Sequence, residues 1–204
     1  MKALRLLGIL SALMAYPFIG SSVALSPWFN PYGSALSDLG NIARNGPVAF
    51  VYNLGLMATG LAASSFALLV SVRYRSRRYL GWSIPLLAAG LDLSLVGLFP
   101  EDAGAIHGAA SVAFFTLMIL AMLAYSACSL RLGSRRAGVA AALLAASSIA
   151  VWSIRWPWKG VAIQETAAAL MGSALLIMAS LNERTLPDQP LPPARSAAEG
   201  AEAY

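Results

Sequence analysis

The segment FPEDAGAIHG, residues 99–108, separates two continuously apolar runs, each long enough to cross a lipid bilayer. It contains the only histidine of the chain, His107, and the adjacent acids Glu101 and Asp102. About twenty apolar residues in a helix span the ~30 Å hydrocarbon core of a bilayer. The segment is therefore predicted to be a short polar loop between two membrane-spanning helices.

The same alternation of apolar runs and polar breaks recurs along the chain, of which 58% is hydrophobic and 11% charged. The runs are continuously apolar, which favours helices over a transmembrane β-barrel. The sequence thus predicts an all-α, polytopic membrane protein with one bundle of six transmembrane helices in residues 1–181. The predicted spans are residues 6–25, 47–72, 79–98, 107–130, 137–154 and 161–181. Residues 182–204 are rich in Pro, Ala, Glu and Ser, a composition typical of a disordered tail.

Basic residues mark one side of the predicted bundle. Six spans place both termini on the same side, together with the basic residues Lys2, Arg5, Arg73, Arg75, Arg77, Arg78, Arg131, Arg135, Arg136, Arg184 and Arg195. The opposite side has only Arg44, Arg155 and Lys159. An excess of Lys and Arg marks cytoplasmic loops, so both termini and the tail are predicted to be cytoplasmic, in a multi-pass protein of the cell membrane. Topology accounts for the net charge of +5, and no nucleic-acid binding is expected.

The first outer loop, residues 26–46, is the longest break between spans. Its prolines, glycines and asparagines exclude a regular transmembrane helix. Residues 34–40 are predicted to form a short helix lying in the membrane interface, a depth that suits Trp28, Phe29 and Tyr32.

Ionisable residues converge on the outer side of the predicted bundle. Asp38 lies in the first outer loop, Glu101 lies in the second, and His107 lies at the start of the fourth span. Asp92 and Glu165 fall within predicted spans, where a charge costs about 2.5–3.5 kcal/mol at the centre on insertion scales. Such residues usually face the bundle interior, so the two acids are expected to point towards neighbouring helices.

The chemistry of these residues suggests a catalytic site. His107 and Ser111 are four residues apart and share one helix face. A histidine near a serine and acids suits general-base catalysis. The predicted catalytic residues are His107, Glu101, Asp38 and Glu165. The predicted substrate-binding residues are Arg155, Lys159, Asp92 and Ser111. Of these, the cations Arg155 and Lys159 would hold an anionic headgroup.

A metal cofactor is left unassigned. One histidine excludes a zinc site of three histidines, so a divalent metal would need mostly carboxylate ligands. Each candidate also has a purely structural interpretation. Asp92 would then hydrogen-bond with Ser94 or with serines and threonines of neighbouring helices, and Glu165 would pair with Arg155 or Lys159 of the third outer loop. His107 would cap the fourth span or pair with Glu101.

The motifs of the chain resemble those of a known family. They are Asn30-Pro31 with SDLG at residues 37–40, FPE at residues 99–101 with His107, SVAFF at residues 111–115, and IQE at residues 163–165. Over residues 6–181 the chain resembles the six-span archaeal and bacterial membrane protein family catalogued as domain of unknown function 998. The last motif is usually Ile-Pro-Glu in that family, and Gln164 replaces the proline here. The resemblance implies the six-helix fold and no particular activity.

Three functions fit this pattern. The first is a membrane enzyme with an outward-facing polar site that hydrolyses or transfers a group on a lipid or another membrane-embedded substrate. The second is a small proton-coupled transporter that uses Asp92 and Glu165 and needs a water-filled path to the cytoplasmic side. The third is a non-catalytic subunit or assembly factor, bound to a membrane protein or to a second copy, whose outer acids and bases pair and leave no cavity. Membrane lipids are expected partners in each case.

Overall fold

The computed structural model describes residues 2–182 and 184–186 and is helical, without strands, in that part of the chain. Two short 3₁₀ turns, Ser37–Gly40 and Glu101–Ala103, lie in the loops. The α-helices are α1 (Lys2–Leu13), α2 (Ala15–Ala24), α3 (Ile42–Asn45), α4 (Val48–Tyr74), α5 (Arg77–Leu98), α6 (Ala105–Arg131), α7 (Arg135–Ser153) and α8 (Ala162–Leu181).

Six helical segments in the described chain are long and apolar enough to cross a membrane. α1 and α2 together form the first, and α4 to α8 form the other five. The predicted six-helix fold is confirmed, and the observed helices begin and end within a few residues of the predicted spans. Many large apolar side chains, such as Leu61 and Leu143, are more than half exposed. They form the surface that faces lipid, where backbone groups must be satisfied within the helices.

The first span is interrupted at Met14, between α1 and α2. A proline removes the hydrogen bond to the residue four positions earlier and crowds its carbonyl. For Pro17 that residue is Leu13, where α1 ends. The interruption lets the two halves take different neighbours, because α1 packs against α4 and α8 whereas α2 packs against α4.

α4 and α5 form the closest helix pair of the bundle. A Cβ atom on Gly60 would lie 2.4 Å from the carbonyl oxygen of Gly90, and one on Gly90 would lie 2.8 Å from the backbone nitrogen of Ser64. The Ser94 hydroxyl donates a hydrogen bond across the contact to the carbonyl of Met57 (3.2 Å). Small residues at a helix contact let two backbones approach in this way. The backbones of α4 and α5 are therefore in direct contact. α1 and α2 pack against α4, and α6 packs against α5.

The two ends of the bundle differ in structure. We call the end with residues 25–47, 99–104 and 154–161 the long-loop end, and the end with the turns at 75–76 and 132–134 the arginine end. The core near the arginine end is filled by large, fully buried side chains, including Phe66, Trp82 and Tyr125. The rings of Trp82 and Tyr125 meet edge to face, with centroids 5.3 Å apart.

The chain after α8 begins by packing against the arginine end. Thr185 and Leu186 are fully buried, and the Thr185 hydroxyl lies 3.0 Å from the Tyr125 hydroxyl. Arg5 donates a hydrogen bond to the Leu186 carbonyl (3.3 Å). The rest of the predicted tail, residue 183 and residues 187–204, lies outside the described residues.

The first long loop folds back into the bundle rather than lying flat over it. The helix predicted over residues 34–40 to lie in the interface is instead the 3₁₀ turn Ser37–Gly40, and Leu39 within it is fully buried. Leu36 and Leu39 pack with Tyr52 and Leu56 of α4 in a small apolar cluster. Burial of these leucines draws the turn between the helix ends and brings Ser37 to the candidate site.

Candidate functional site

Two asparagines hold the backbone of the first long loop in place. Asn53 of α4 donates to the carbonyl of Gly40 (2.9 Å), and Asn45 donates to the carbonyl of Leu39 (2.8 Å). The side-chain oxygen of Asn45 accepts a hydrogen bond from the Trp28 indole (3.2 Å). These bonds satisfy polar groups that the loop brings into the bundle, because an unpaired buried carbonyl is costly.

Asp38 belongs to the internal structure of this loop. Its carboxylate accepts a hydrogen bond from the backbone N–H of Ala35 (3.1 Å) and forms an ion pair with Arg44 (3.1 Å). The Arg44 guanidinium in turn lies over the Trp28 ring, 3.9 Å from its centroid. The predicted catalytic Asp38 is therefore engaged with its own loop.

The second long loop is tied to the first by its two acids. Asn41 donates its side-chain amide to the carboxylate of Glu101. The backbone N–H of Ile42 donates to the carboxylate of Asp102 (3.1 Å). Sequence reasoning missed the roles of Asn41 and Asp102, although both lie in the polar segments that it singled out.

Glu165 connects α8 to the first long loop. It lies in the first turn of α8, and its carboxylate accepts a hydrogen bond from the backbone N–H of Leu36 (2.5 Å). Beside it, the backbone N–H of Gly160 donates to the backbone carbonyl of Tyr32 (2.9 Å), and that of Ala162 donates to the backbone carbonyl of Ser34 (3.0 Å). Backbone and side chain together fix the loop against the start of α8.

A cavity of about 560 Å³ lies between α6, α7 and α8 at the long-loop end, and we call it the α6 cavity. Cavities that hold small ligands are typically about 300–1,000 Å³ in volume. The polar side chains of its wall are Ser37, Glu101, His107, Ser111, Thr116 and Glu165. The apolar part includes Val112, Phe115, Ile119, Trp152 and Val161. Three of the four predicted catalytic residues, and Ser111, thus line one cavity.

His107 is held in a defined orientation in the wall of the α6 cavity. It is only 6% exposed, and its Nδ1 lies 2.8 Å from the carbonyl oxygen of Phe99. Because a carbonyl can only accept, Nδ1 is assigned the proton and donates. Nε2 is buried and has no hydrogen-bond partner within the described chain. In the neutral ring with the proton on Nδ1, Nε2 holds a lone pair and is a proton acceptor.

The α6 cavity extends from the loops to membrane depth. From His107 to Ile119, both in its wall, α6 rises ~18 Å at 1.5 Å per residue. That is more than half of a ~30 Å hydrocarbon core. Two of its wall residues, Val112 (69% exposed) and Trp152 (38% exposed), also belong to the outer surface. The cavity therefore has a polar end at the loops and an apolar end beside the lipid.

Three predicted substrate-binding residues lie elsewhere. Arg155 and Lys159 are exposed in the loop between α7 and α8 and do not line the α6 cavity, and neither forms an ion pair with Glu165. Asp92 lies on α5, and its Oδ2 is buried without a hydrogen-bond partner among the described residues. The Ser94 hydroxyl, the partner expected for Asp92, donates to backbone carbonyls instead.

The described residues offer no metal site of the usual kind. No group of three or more His, Cys, Asp and Glu side chains among them is arranged to hold an ion. The α6 cavity has a single imidazole and two carboxylates in its wall, and both carboxylates already accept hydrogen bonds from the first long loop.

A second, smaller cavity adjoins the first inside the bundle. Its volume is about 100 Å³, and it shares Ser37, Ser111, Phe115 and Glu165 with the α6 cavity. An apolar cavity of about 150 Å³ can hold a benzene molecule. The inner cavity therefore has room for a small group only.

The fold and the cavity define a multi-pass membrane protein with a polar, histidine-containing site that adjoins lipid. The family model described as "Protein of unknown function (DUF998)" matches residues 9–182. The chain belongs to this family, as its motifs suggested. No curated protein and no solved structure matches the chain.

Proposed function

We propose that this protein is a membrane enzyme that hydrolyses, or transfers a group on, a lipid or another membrane-embedded substrate. One observation carries the proposal. His107, whose buried Nε2 has no hydrogen-bond partner among the described residues, lines a cavity that is polar at the loops and apolar beside the lipid. An amphipathic molecule fits such a cavity with its polar group beside His107 and its apolar chain along α6.

His107 acts as the general base. Its Nε2 takes a proton from water while the water oxygen bonds to the electrophilic carbon or phosphorus of the substrate. The bond to the leaving oxygen then breaks, and the leaving group takes the proton back from the imidazolium. Transfer replaces the water with an acceptor hydroxyl. A base positioned in this way contributes about 10²–10⁴-fold to the rate.

The surrounding groups position the base and the substrate. The Phe99 carbonyl fixes the histidine ring through Nδ1, which is the third-group orientation typical of activated catalytic bases. Glu101 and Glu165 contribute carboxylates to the same wall, and Ser111 contributes a hydroxyl on the helix face of His107. Asp38 acts indirectly, by holding the loop that contributes Ser37.

The test compares two substitutions of the base. His107→Asn keeps an amide donor near the position of Nδ1, and His107→Gln places an amide near the position of Nε2, but neither amide is a base. We expect both variants to lose lipid turnover by about 10²-fold or more while they remain folded. The measurement is product formation, followed by mass spectrometry, in proteoliposomes that contain acylglycerols and phospholipids. Wild-type rates in both variants, or no turnover of any lipid by the wild type, would refute the proposal.

The transporter alternative is less well supported. It requires a water-filled path that continues towards the arginine end. That half of the bundle is filled by fully buried side chains such as Phe66, Trp82 and Tyr125. Asp92, which was expected to relay protons, lines neither of the two cavities described above.

The subunit or assembly-factor alternative also has less support. It predicts that the acids and bases of the long-loop end pair with one another and leave no cavity. Within the described chain the ion pair at this end is Asp38 with Arg44, and a cavity of about 560 Å³ lies beside it. A cavity of this size suits a small molecule better than a closed protein contact.

A further inference from the structure

The charges around the α6 cavity specify the kind of lipid that it takes. The ionisable side chains in its wall are His107 and the carboxylates of Glu101 and Glu165. No Lys or Arg is among the described residues of the wall. One polar side chain of the wall also lacks a partner. His107 is more than nine-tenths buried, and its Nε2 has no hydrogen-bond partner among the described residues.

The nearby cations do not line the cavity. Arg44 is paired with Asp38 and stacked over Trp28. Arg155 and Lys159 are exposed in the third long loop, outside the cavity wall. An anionic headgroup at the polar end would therefore have no Lys or Arg side chain of the described wall as a partner.

Three backbone N–H groups of the first long loop are occupied by carboxylates. The N–H of Leu36 donates to Glu165, that of Ala35 donates to Asp38, and that of Ile42 donates to Asp102. A phosphate usually binds where free backbone N–H groups or cations converge. The N-terminus of α6 lies at the polar end of the α6 cavity without a side-chain cap, but its partial positive charge of about one half is outweighed by the two carboxylates of the wall, Glu101 and Glu165.

We infer that the α6 cavity selects a lipid whose polar end carries hydroxyl or other hydrogen-bond donors and no net negative charge, and that it excludes anionic headgroups. The inference rests on the proposed function for the site and names its substrate class. Burying a charge without a partner is strongly unfavourable. An anionic headgroup would be buried here without a Lys or Arg side chain beside it, and the carboxylates of Glu101 and Glu165 would repel it. The predicted role of Arg155 and Lys159 in holding an anionic headgroup is accordingly replaced.

The first experiment measures binding of lipids that share the same acyl chains. The probes are dioleoylglycerol, with one free hydroxyl, and dioleoylphosphatidic acid and dioleoylphosphatidylglycerol, which are anionic. Binding to the full chain in detergent is followed by native mass spectrometry, with the wild type and with His107→Asn. We expect the neutral lipid to bind at least ~10-fold more tightly than either anionic lipid. Equal or tighter binding of an anionic lipid overturns the inference.

A second experiment adds a cation to the cavity wall. Gly108 lines the α6 cavity, and a Cβ atom there would have no atom within 4 Å, so the position has room for a side chain. Gly108→Lys is expected to raise the affinity for the anionic lipids by at least ~10-fold. The matched control is Gly20→Lys on α2, which also has open surroundings but lies outside the cavity wall. Identical lipid preferences in the two variants would overturn the inference. If Gly108→Lys does not fold, the inference is tested by the comparison of neutral and anionic lipids on the wild type.

The two proposals fail separately. Binding preference is measured without turnover, so a protein that prefers the neutral lipid but converts no lipid refutes the enzyme and leaves the selectivity intact. A protein that turns over a lipid in a His107-dependent way but prefers anionic headgroups refutes the selectivity alone.

Discussion

At the scale of single residues, the Glu165 side chain has two structural roles. It lines the α6 cavity and accepts the backbone N–H of Leu36. Glu165→Ala is expected to lower the stability by about 1–3 kcal/mol, because it leaves that N–H without its acceptor. Glu165→Gln keeps a carbonyl oxygen and should lose less. Thermal unfolding in detergent measures both, and an alanine variant as stable as the wild type would contradict the structural role.

Residue types alone identified part of the site. His107, Glu101 and Glu165 stand out because ionisable side chains are rare in a sequence that is 11% charged. Asn53 gave a weaker signal as a polar residue within a predicted span, and its partner, the carbonyl of Gly40, lies in another segment. Ser37 gave no signal, because its place in the cavity wall depends on how the first long loop folds back.

At the scale of helices, the α4–α5 contact depends on glycine. A Cβ atom on Gly60 would approach the Gly90 carbonyl to 2.4 Å, and backbone atoms cannot easily yield. Gly60→Ala should therefore destabilise the protein by about 1–3 kcal/mol, the usual cost of overpacking. Gly81→Ala on α5 is the control, because its Cβ has no neighbour within 4 Å and alanine favours a helix by about 0.5–1 kcal/mol. Equal melting temperatures for the two variants would refute the close contact.

The helices were more predictable than the loops for a physical reason. A bilayer imposes a length and a continuous apolar composition on each span, and both can be read from local sequence. The predicted span at residues 47–72 corresponds to α4, Val48–Tyr74, for example. The segment at residues 34–40 has no such constraint, and burial of Leu39 against α4 decided its position. That burial is a long-range contact that no local pattern reveals.

At the scale of the whole molecule, the cavity lies where helix packing is weakest. α6 packs extensively on α5 and α7, whereas it makes few contacts with α8. At the long-loop end, the Asn41–Glu101 hydrogen bond joins the first two long loops, and the Leu36–Glu165 hydrogen bond joins the first loop to α8. The gap between α6 and α8 thus has loop residues at one end and lipid-facing residues such as Val112 at the other, the arrangement on which the proposed function rests.

The orientation of the bundle determines which compartment the polar end of this cavity faces. The arginine excess predicts that the arginine end is cytoplasmic and the long-loop end is outside. The single cysteine, Cys128, is buried, so Cys128→Ala provides a background without thiols. Into it we would introduce Tyr32→Cys, at a position 60% exposed at the long-loop end, or Arg135→Cys, at an exposed position of the arginine end. A membrane-impermeant maleimide should label the first variant in intact cells and the second only after the cells are permeabilised. The reverse pattern would place the α6 cavity on the cytoplasmic side and would require its substrate to come from the inner leaflet.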